Sequence, residues 1–127
     1  MNAPTLRPMT QDDVEIVKWV LYRAVDWDPA VTLPPEEVVL QHPQLVVFHE
    51  HWGRPGDIGV VAEVDGRLAG AAFCRLFTEE RHGEGFIDEE TPELGVAVDE
   101  AHRGTGIGTI LMKELANLAR RSGLDRL

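Results

Sequence analysis

The sequence predicts an α+β domain of mixed α/β character: a central, mostly antiparallel sheet flanked by helices. Three observations carry this. The β-branched run Ile58–Val64 meets the small-residue run Leu68–Phe77 through Asp65-Gly66, a dipeptide suited to the two-residue turn of a hairpin. Apolar residues recur at helical spacing twice, as Val14, Val17, Leu21 and Ala24, and as Ile107, Leu111, Leu115 and Leu118. The pieces run strand, helices, hairpin, strand, helix, with no internal repeat or low-complexity tract.

Residues 4–9 read as a short edge strand with prolines near both ends. Thr10 suits an N-cap, and Asp12 and Asp13 suit the positive end of the helix that follows over 11–25. Glu15, Lys18 and Tyr22 lie elsewhere on its wheel. Residues 26–35 (DWDPAVTLPP) are turn-rich. Residues 36–52 read as helical, with Pro43 opening a second helix at its first turn and Gly53 as the stop. GRPGD is then a loop. Ile58–Val64 is apolar on both faces except at Glu63, which predicts a buried strand. In its partner, Ala69, Gly70, Ala71 and Ala72 would let another backbone or a ligand come close. An acidic loop over 78–91 leads to a third strand, Glu93–Val98. The last helix is predicted over 105–121, ended by Gly123.

A length of 127 residues fits one domain with one core, residues 1–127. Apolar content of 43% and charged content of 27% are ordinary globular usage. The net charge of −10 argues against a general nucleic-acid binder, because neutralising phosphates takes clustered Lys and Arg. No apolar run is long enough to span a bilayer, so no membrane partner is expected, and no basic start precedes an apolar stretch. Cys74 is the only cysteine, which predicts a reduced, cytoplasmic setting. Charge is uneven: residues 79–100 hold nine acids against Arg81, and residues 101–127 hold five bases against Glu114 and Asp125. Such neighbours suit a cationic and an anionic ligand side by side, or are two solvated surfaces.

The stretch AHRGTGIGT, residues 101–109, puts glycines at every second position where a strand meets a helix. The first amides of a helix have no internal partner and lie at the positive end of its dipole. With Gly104, Gly106 and Gly108 clearing the approach, they form a main-chain anion cradle, to which Arg103 adds a charge. A P-loop would need Lys-Ser/Thr after the last glycine, and Thr109-Ile110 stands there. A Rossmann loop would need G-x-G-x-x-G, and the spacing is G-x-G-x-G. The alternative without a ligand is a packed strand–turn–helix.

Arg103-Gly104-Thr105-Gly106-Ile107-Gly108 fits [Q/R]-x-x-G-x-[G/A]. With its flanks, ELGVAVDEAHRGTGIGTILMKELANLAR, it resembles motif A of the GNAT superfamily of acyl-CoA-dependent N-acetyltransferases. The resemblance covers roughly residues 4–127. It implies acetyl-CoA as co-substrate, with Val96 and Val98 holding the pantetheine amides. The pyrophosphate would lie on the backbone amides of Arg103, Gly104, Thr105, Gly106, Ile107, Gly108 and Thr109. It also implies acetyl transfer to a primary amine by direct attack.

An amine of high pKa must lose a proton to attack, so a nearby carboxylate is useful. Glu93 opens the key strand, where the family often has a glutamate base. Glu90, Asp88, Glu79 and His82 are weaker candidates. His49 and His51 form a HEH pair without an evident third metal ligand, so no metal is expected. Cys74 reads as a small hydrophobe. Trp27, Trp52, Phe77 and Phe86 are core residues or acceptor-site walls. The acidic loop suggests a cationic acceptor: a small-molecule or protein amine.

In the family a further strand follows motif A, then a helix with a tyrosine that protonates the leaving thiolate. Here only Tyr22 is available, on the first helix, and the chain reads as C-terminally truncated. The expected bare edge favours association, including a homodimer. A fragment of a longer chain, a natural short form and an inactive relative are all consistent with this. The alternative to an enzyme is a non-catalytic acyl-CoA-binding or assembly module.

Overall fold

The computed structural model describes residues 3–26, 29–83 and 85–124. Four strands form one sheet in sequential order: β1 (Thr5–Pro8), β2 (Ile58–Val64), β3 (Arg67–Arg75) and β4 (Glu93–Val98). Every pairing is antiparallel. Helices α1 (Val14–Val25), α2 (Glu36–Val39) and α3 (Pro43–His49) lie between β1 and β2 in the chain, and α4 (Ile107–Arg121) follows β4.

The hairpin forms as its turn chemistry demands. Asp65 and Gly66 have φ of 53° and 77°, the left-handed pair that matches strand twist. Ahead of α1, Thr10 and Asp13 make a reciprocal capping box, and Arg7 grips the Asp13 carboxylate at 2.9 and 3.0 Å. The Arg7 hydrogen bonds, helped by the Thr10 amide, hold that carboxyl below its ordinary range.

Side-chain alternation along the strands sends residues to two cores. One lies under α4, where Val60, Ala62, Ala72 and Cys74 meet Ile107, Leu111 and Leu115. The other lies under α1, where Ala71, Phe73 and Trp52 meet Val17, Val20 and Leu21. Close approach to the small residues of β3 is used by the fold itself: a Cβ on Gly70 would meet the Ala97 carbonyl at 2.9 Å and Leu111 at 3.0 Å.

Two helix faces differ from the expected stripes. On α1, Ala24 is exposed and Val20 is buried. Its last turn instead gives Val25 to the rim of a cleft. On α4, Ala119 is fully buried while Leu118 is only partly so. The buried stripe runs at strict four-residue steps, Ile107, Leu111, Leu115, Ala119. That drifts about 40° round the helix per step and suits packing across a twisted sheet. The second helical segment also ends before Gly53: α3 stops at His49, and His51 takes a φ of 52°.

Candidate active site

β4 forms one edge of the sheet among the described residues, and β1 the other. Asp99 N donates to Ala69 O at 2.8 Å, in the same register that sets Val98 opposite Gly70 and Val96 opposite Ala72. In an antiparallel pair a residue's N–H and C=O point to one side, and the side alternates. The backbone groups of Val96 and Val98 therefore point away from β3, along the free edge. Val96, Val98, Gly108, Thr109, Met112 and Ala116 line a largely apolar groove of about 660 Å³ between this edge and α4.

The groove leads to the glycine stretch. Asp99 caps a 3-10 turn, Glu100–His102, by accepting from Ala101 N. The Thr105 hydroxyl donates to the His102 carbonyl and pins the loop. Gly104 and Gly106 have φ of 78° and 86°, and nothing lies within 4 Å of where their Cβ atoms would be. Glycine is thus required by backbone shape, and the space beside it is open. Arg103 N, expected among the free amides, instead donates to Glu100 O at 3.4 Å and closes the 3-10 turn. Among the described residues, the amides of 104–109 donate to no acceptor, and Ile110 N is the first to bond back, to Gly106 O at 3.1 Å. They sit at the positive end of a helix of 15 residues. Arg103 is exposed and has no ion pair among the described residues. Unpartnered donors, open space and a positive field fit a pyrophosphate, and the apolar groove fits a pantetheine arm. These residues could hold acetyl-CoA.

The N-terminal end of β4 is built differently. Glu93 is buried, and its two carboxylate oxygens accept from Gly83 N and Gly85 N, each at 2.8 Å. A Cβ at Gly83 or Gly85 would lie 2.9 or 3.1 Å from Glu93 Oε1, so glycine lets this loop reach the carboxylate. Glu93 also lines a cleft of about 560 Å³, with Val25, Leu45, Phe48, Pro92 and Leu94 among its walls. Each oxygen keeps acceptor capacity beyond the one amide it holds. The carboxylate can therefore still receive a proton or an ammonium group from the cleft.

The other candidates are placed elsewhere. Glu79 N donates to the Glu89 carboxylate, and Glu90 N donates to Asp88. The Asp88 and Glu89 carboxylates thus cap their own loop, and Glu79, Asp88 and Glu90 do not line the cleft. His82 Nδ1 donates to the Gly83 carbonyl at 2.6 Å, and the ring stacks on Phe86. His49 is a satisfied core histidine, bonded through Nε2 to the Leu40 carbonyl at 2.9 Å, while His51 is exposed. No group of His, Cys, Asp and Glu among the described residues could hold a metal. Cys74 is fully buried, and burial beside the Asp57 charge pushes its thiol up to about 12, so it makes a poor nucleophile. Trp52 is core, donating to Thr10 O at 3.1 Å and standing edge-on to Phe73. Phe77 is buried edge-on to Phe48. Trp27 lies outside the described residues, as do Glu84, Asp125, Arg126 and Leu127. Tyr22 packs in the α1 core, on the sheet face opposite the groove.

A residue that sequence reasoning passed over braces this end of the sheet. Arg75, with no exposed surface, binds Asp57 bidentately at 2.9 and 2.8 Å and donates to the carbonyls of Val47 and Glu50. Asp57 in turn holds the amides of Gly53 and Arg54. The signal was a lone arginine closing an apolar strand, AAFCR.

A model of the Acetyltransferase (GNAT) family matches residues 21–127. The chain belongs to the GNAT acetyltransferase family. Solved GNAT relatives share the fold. A ribosomal-protein-alanine N-acetyltransferase from Brucella melitensis is 30% identical, with a TM-score of 0.62 over 94% of this chain and 69% of that one. The yncA protein from Salmonella typhimurium, described as an acetyltransferase and solved with its cofactor acetyl-CoA, is 25% identical, with a TM-score of 0.63 over 96% of this chain. The chain spans 66% of its length. A GCN5-related N-acetyltransferase from Ralstonia eutropha JMP134 is 19% identical and has a TM-score of 0.63 over 98% of this chain and 80% of that one, a likeness of fold. No curated protein sequence matches. The antiparallel sheet flanked by helices is thus the GNAT arrangement. No helix of the described residues is long and apolar enough to cross a membrane.

Proposed function

We propose that residues 1–127 act as one GNAT acetyltransferase domain that moves an acetyl group from acetyl-CoA to a primary amine by direct attack. The observation that carries this is the run of unpartnered amides at 104–109, opening onto the groove along β4. The pyrophosphate lies on those amides with Arg103 beside it. The backbone of Val96 and Val98 binds the pantetheine arm. The amine approaches through the cleft at the other end of β4 and gives a proton to Glu93, directly or through water. Its nitrogen then forms the new C–N bond as the C–S bond breaks, the thiolate leaves with the electron pair, and the second proton the nitrogen sheds goes to the sulfur.

Calorimetric titration of the chain with acetyl-CoA, beside a pantetheine analogue lacking the pyrophosphate, tests the first half. Saturable binding that needs the pyrophosphate is expected. Equal binding of both would remove the cradle. Free-thiol release with a panel of primary amines tests the second half.

Tyr22, the only tyrosine, stands on the far face of the sheet, and this favours a second reading. In it, the chain binds acyl-CoA without turning it over. Binding without thiol release from any amine in the panel would select that reading.

A further inference from the structure

The cleft at Glu93 continues into a second one of about 460 Å³, with which it shares Val25, His42 and Leu45. The outer part is lined by Pro34, Val38 and Val39 as well, and Val38 is 59% exposed. Among the described lining residues of both parts, Glu93 is the one carboxylate, and there is no Lys or Arg. The only described residue from loop 78–91 that reaches the wall is Gly85, whose amide Glu93 already holds. His42 caps α3 by accepting from Gln44 N at Nδ1, which leaves Nε2 as the ring's N–H in the neutral form. Among the described residues, the cleft therefore has a single anionic point at its inner end and a mainly aliphatic outer end.

We infer that the acceptor is an amine on an apolar body, seated against α2 and α3 with its nitrogen toward Glu93. The inference deepens the acetyl-transfer reading and rests on it for what is turned over. One charged nitrogen pairs with one carboxylate. A phenyl ring or short alkyl chain covers Val38, Val39 and Leu45 and removes them from water. A polyamine would instead lay its further ammonium groups against a mainly aliphatic surface, where the neutral side chains of Gln41 and Gln44, and no second described carboxylate, are there to offset their lost hydration. Of the acids in the 78–91 loop, which suggested a cationic acceptor from sequence, Asp88 and Glu89 accept from their own loop's amides.

Binding tests the seat independently of turnover. Calorimetric titrations of the chain, with CoA present, would compare 2-phenylethylamine with spermidine. 2-Phenylethylamine is expected to bind about tenfold more tightly. Val38→Gln should weaken it about tenfold. Val31→Gln, at another exposed valine that lines neither part, should leave it unchanged. Spermidine binding as tightly, no binding of 2-phenylethylamine, or an unchanged affinity in Val38→Gln each overturns the inference. A seat that behaves as expected in a chain releasing no thiol from acetyl-CoA would overturn the acetyl-transfer reading instead.

Discussion

Two Gly-x-Gly stretches flank β4. At its N-terminal end, the amides of Gly83 and Gly85 converge on the Glu93 carboxylate, an anion the chain supplies itself. At its C-terminal end, the amides around Gly104 and Gly106 converge on nothing among the described residues. The same local chemistry gives a closed clamp in one place and an open cradle in the other. Glycine serves a different purpose in each. At 83 and 85 it removes a Cβ that would crowd Glu93 or Phe48, whereas at 104 and 106 it permits a positive φ beside empty space. Burial follows the same division: Glu93 and Gly83 are buried, and Arg103, Gly104 and Gly106 are exposed. The closed end satisfies its donors within the chain, and the open end leaves its donors facing open space.

The largest effect is expected from breaking the closed end at its brace. Arg75→Met would leave the Asp57 carboxylate buried without its guanidinium and free the carbonyls of Val47 and Glu50. Losing one partner of a buried pair costs about 3–5 kcal/mol. Chemical denaturation should show that loss, with CoA affinity kept in the folded fraction. A change below about 1 kcal/mol would mean the brace is replaceable by packing alone.

Next comes Glu93→Gln, which removes the carboxylate while keeping one acceptor oxygen for the loop. Turnover should fall about a hundredfold. The pH at which the rate becomes maximal should rise, because the amine must then shed its proton unaided. CoA affinity should hold, since the cradle is at the opposite end of β4. Hydrogen exchange at Gly83 and Gly85 separates two roles. Faster exchange with an unaltered pH–rate profile would make Glu93 a loop clamp only.

Most of the architecture was legible because local chemistry and tertiary demand agree. Asp65-Gly66, the N-cap at Thr10 and Pro43 at the start of α3 each act within a few residues. The order of strand, glycine-rich turn and helix over 93–121 was legible for the same reason. What could not be read depends on pairs distant in sequence. Arg75 and Asp57 are 18 positions apart, and nothing local couples them. The acids of loop 78–91 look in sequence like a cation-binding surface, and only the fold shows Glu89 spent on the Glu79 amide. The α1 face shifted to Val20 because the sheet beneath, absent from any helical wheel, decides which side is buried.

The open end is probed by two glycines with opposite expectations. Gly106→Ala forces a side chain onto a φ of 86° and should destabilise by about 1–2 kcal/mol. Gly108 lies inside α4, and its Cβ would meet Val98 Cγ2 at an ordinary 3.6 Å. Gly108→Ala should therefore stabilise by about 0.5–1 kcal/mol through helix propensity. It also adds a methyl to the groove wall, so CoA affinity should fall while thermal stability rises. A loss of both would mean the groove and the helix start are strained together, contrary to the comparison drawn between the two ends.

The smallest effect is expected at Arg103, and it tests whether the cradle is mainly backbone. Its side chain is exposed and makes no described ion pair, so Arg103→Gln should leave the fold untouched. If the amides of 104–109 do most of the holding, CoA affinity should fall only about threefold to tenfold, the scale of one exposed charge-assisted contact. The salt dependence of binding should become shallower by a comparable amount, because one screened charge has been removed. A hundredfold loss would shift the anion site from main chain to side chain, and the two Gly-x-Gly stretches would then differ in kind. An unchanged affinity would place Arg103 in solvent and leave the helix amides as the whole of the anion site.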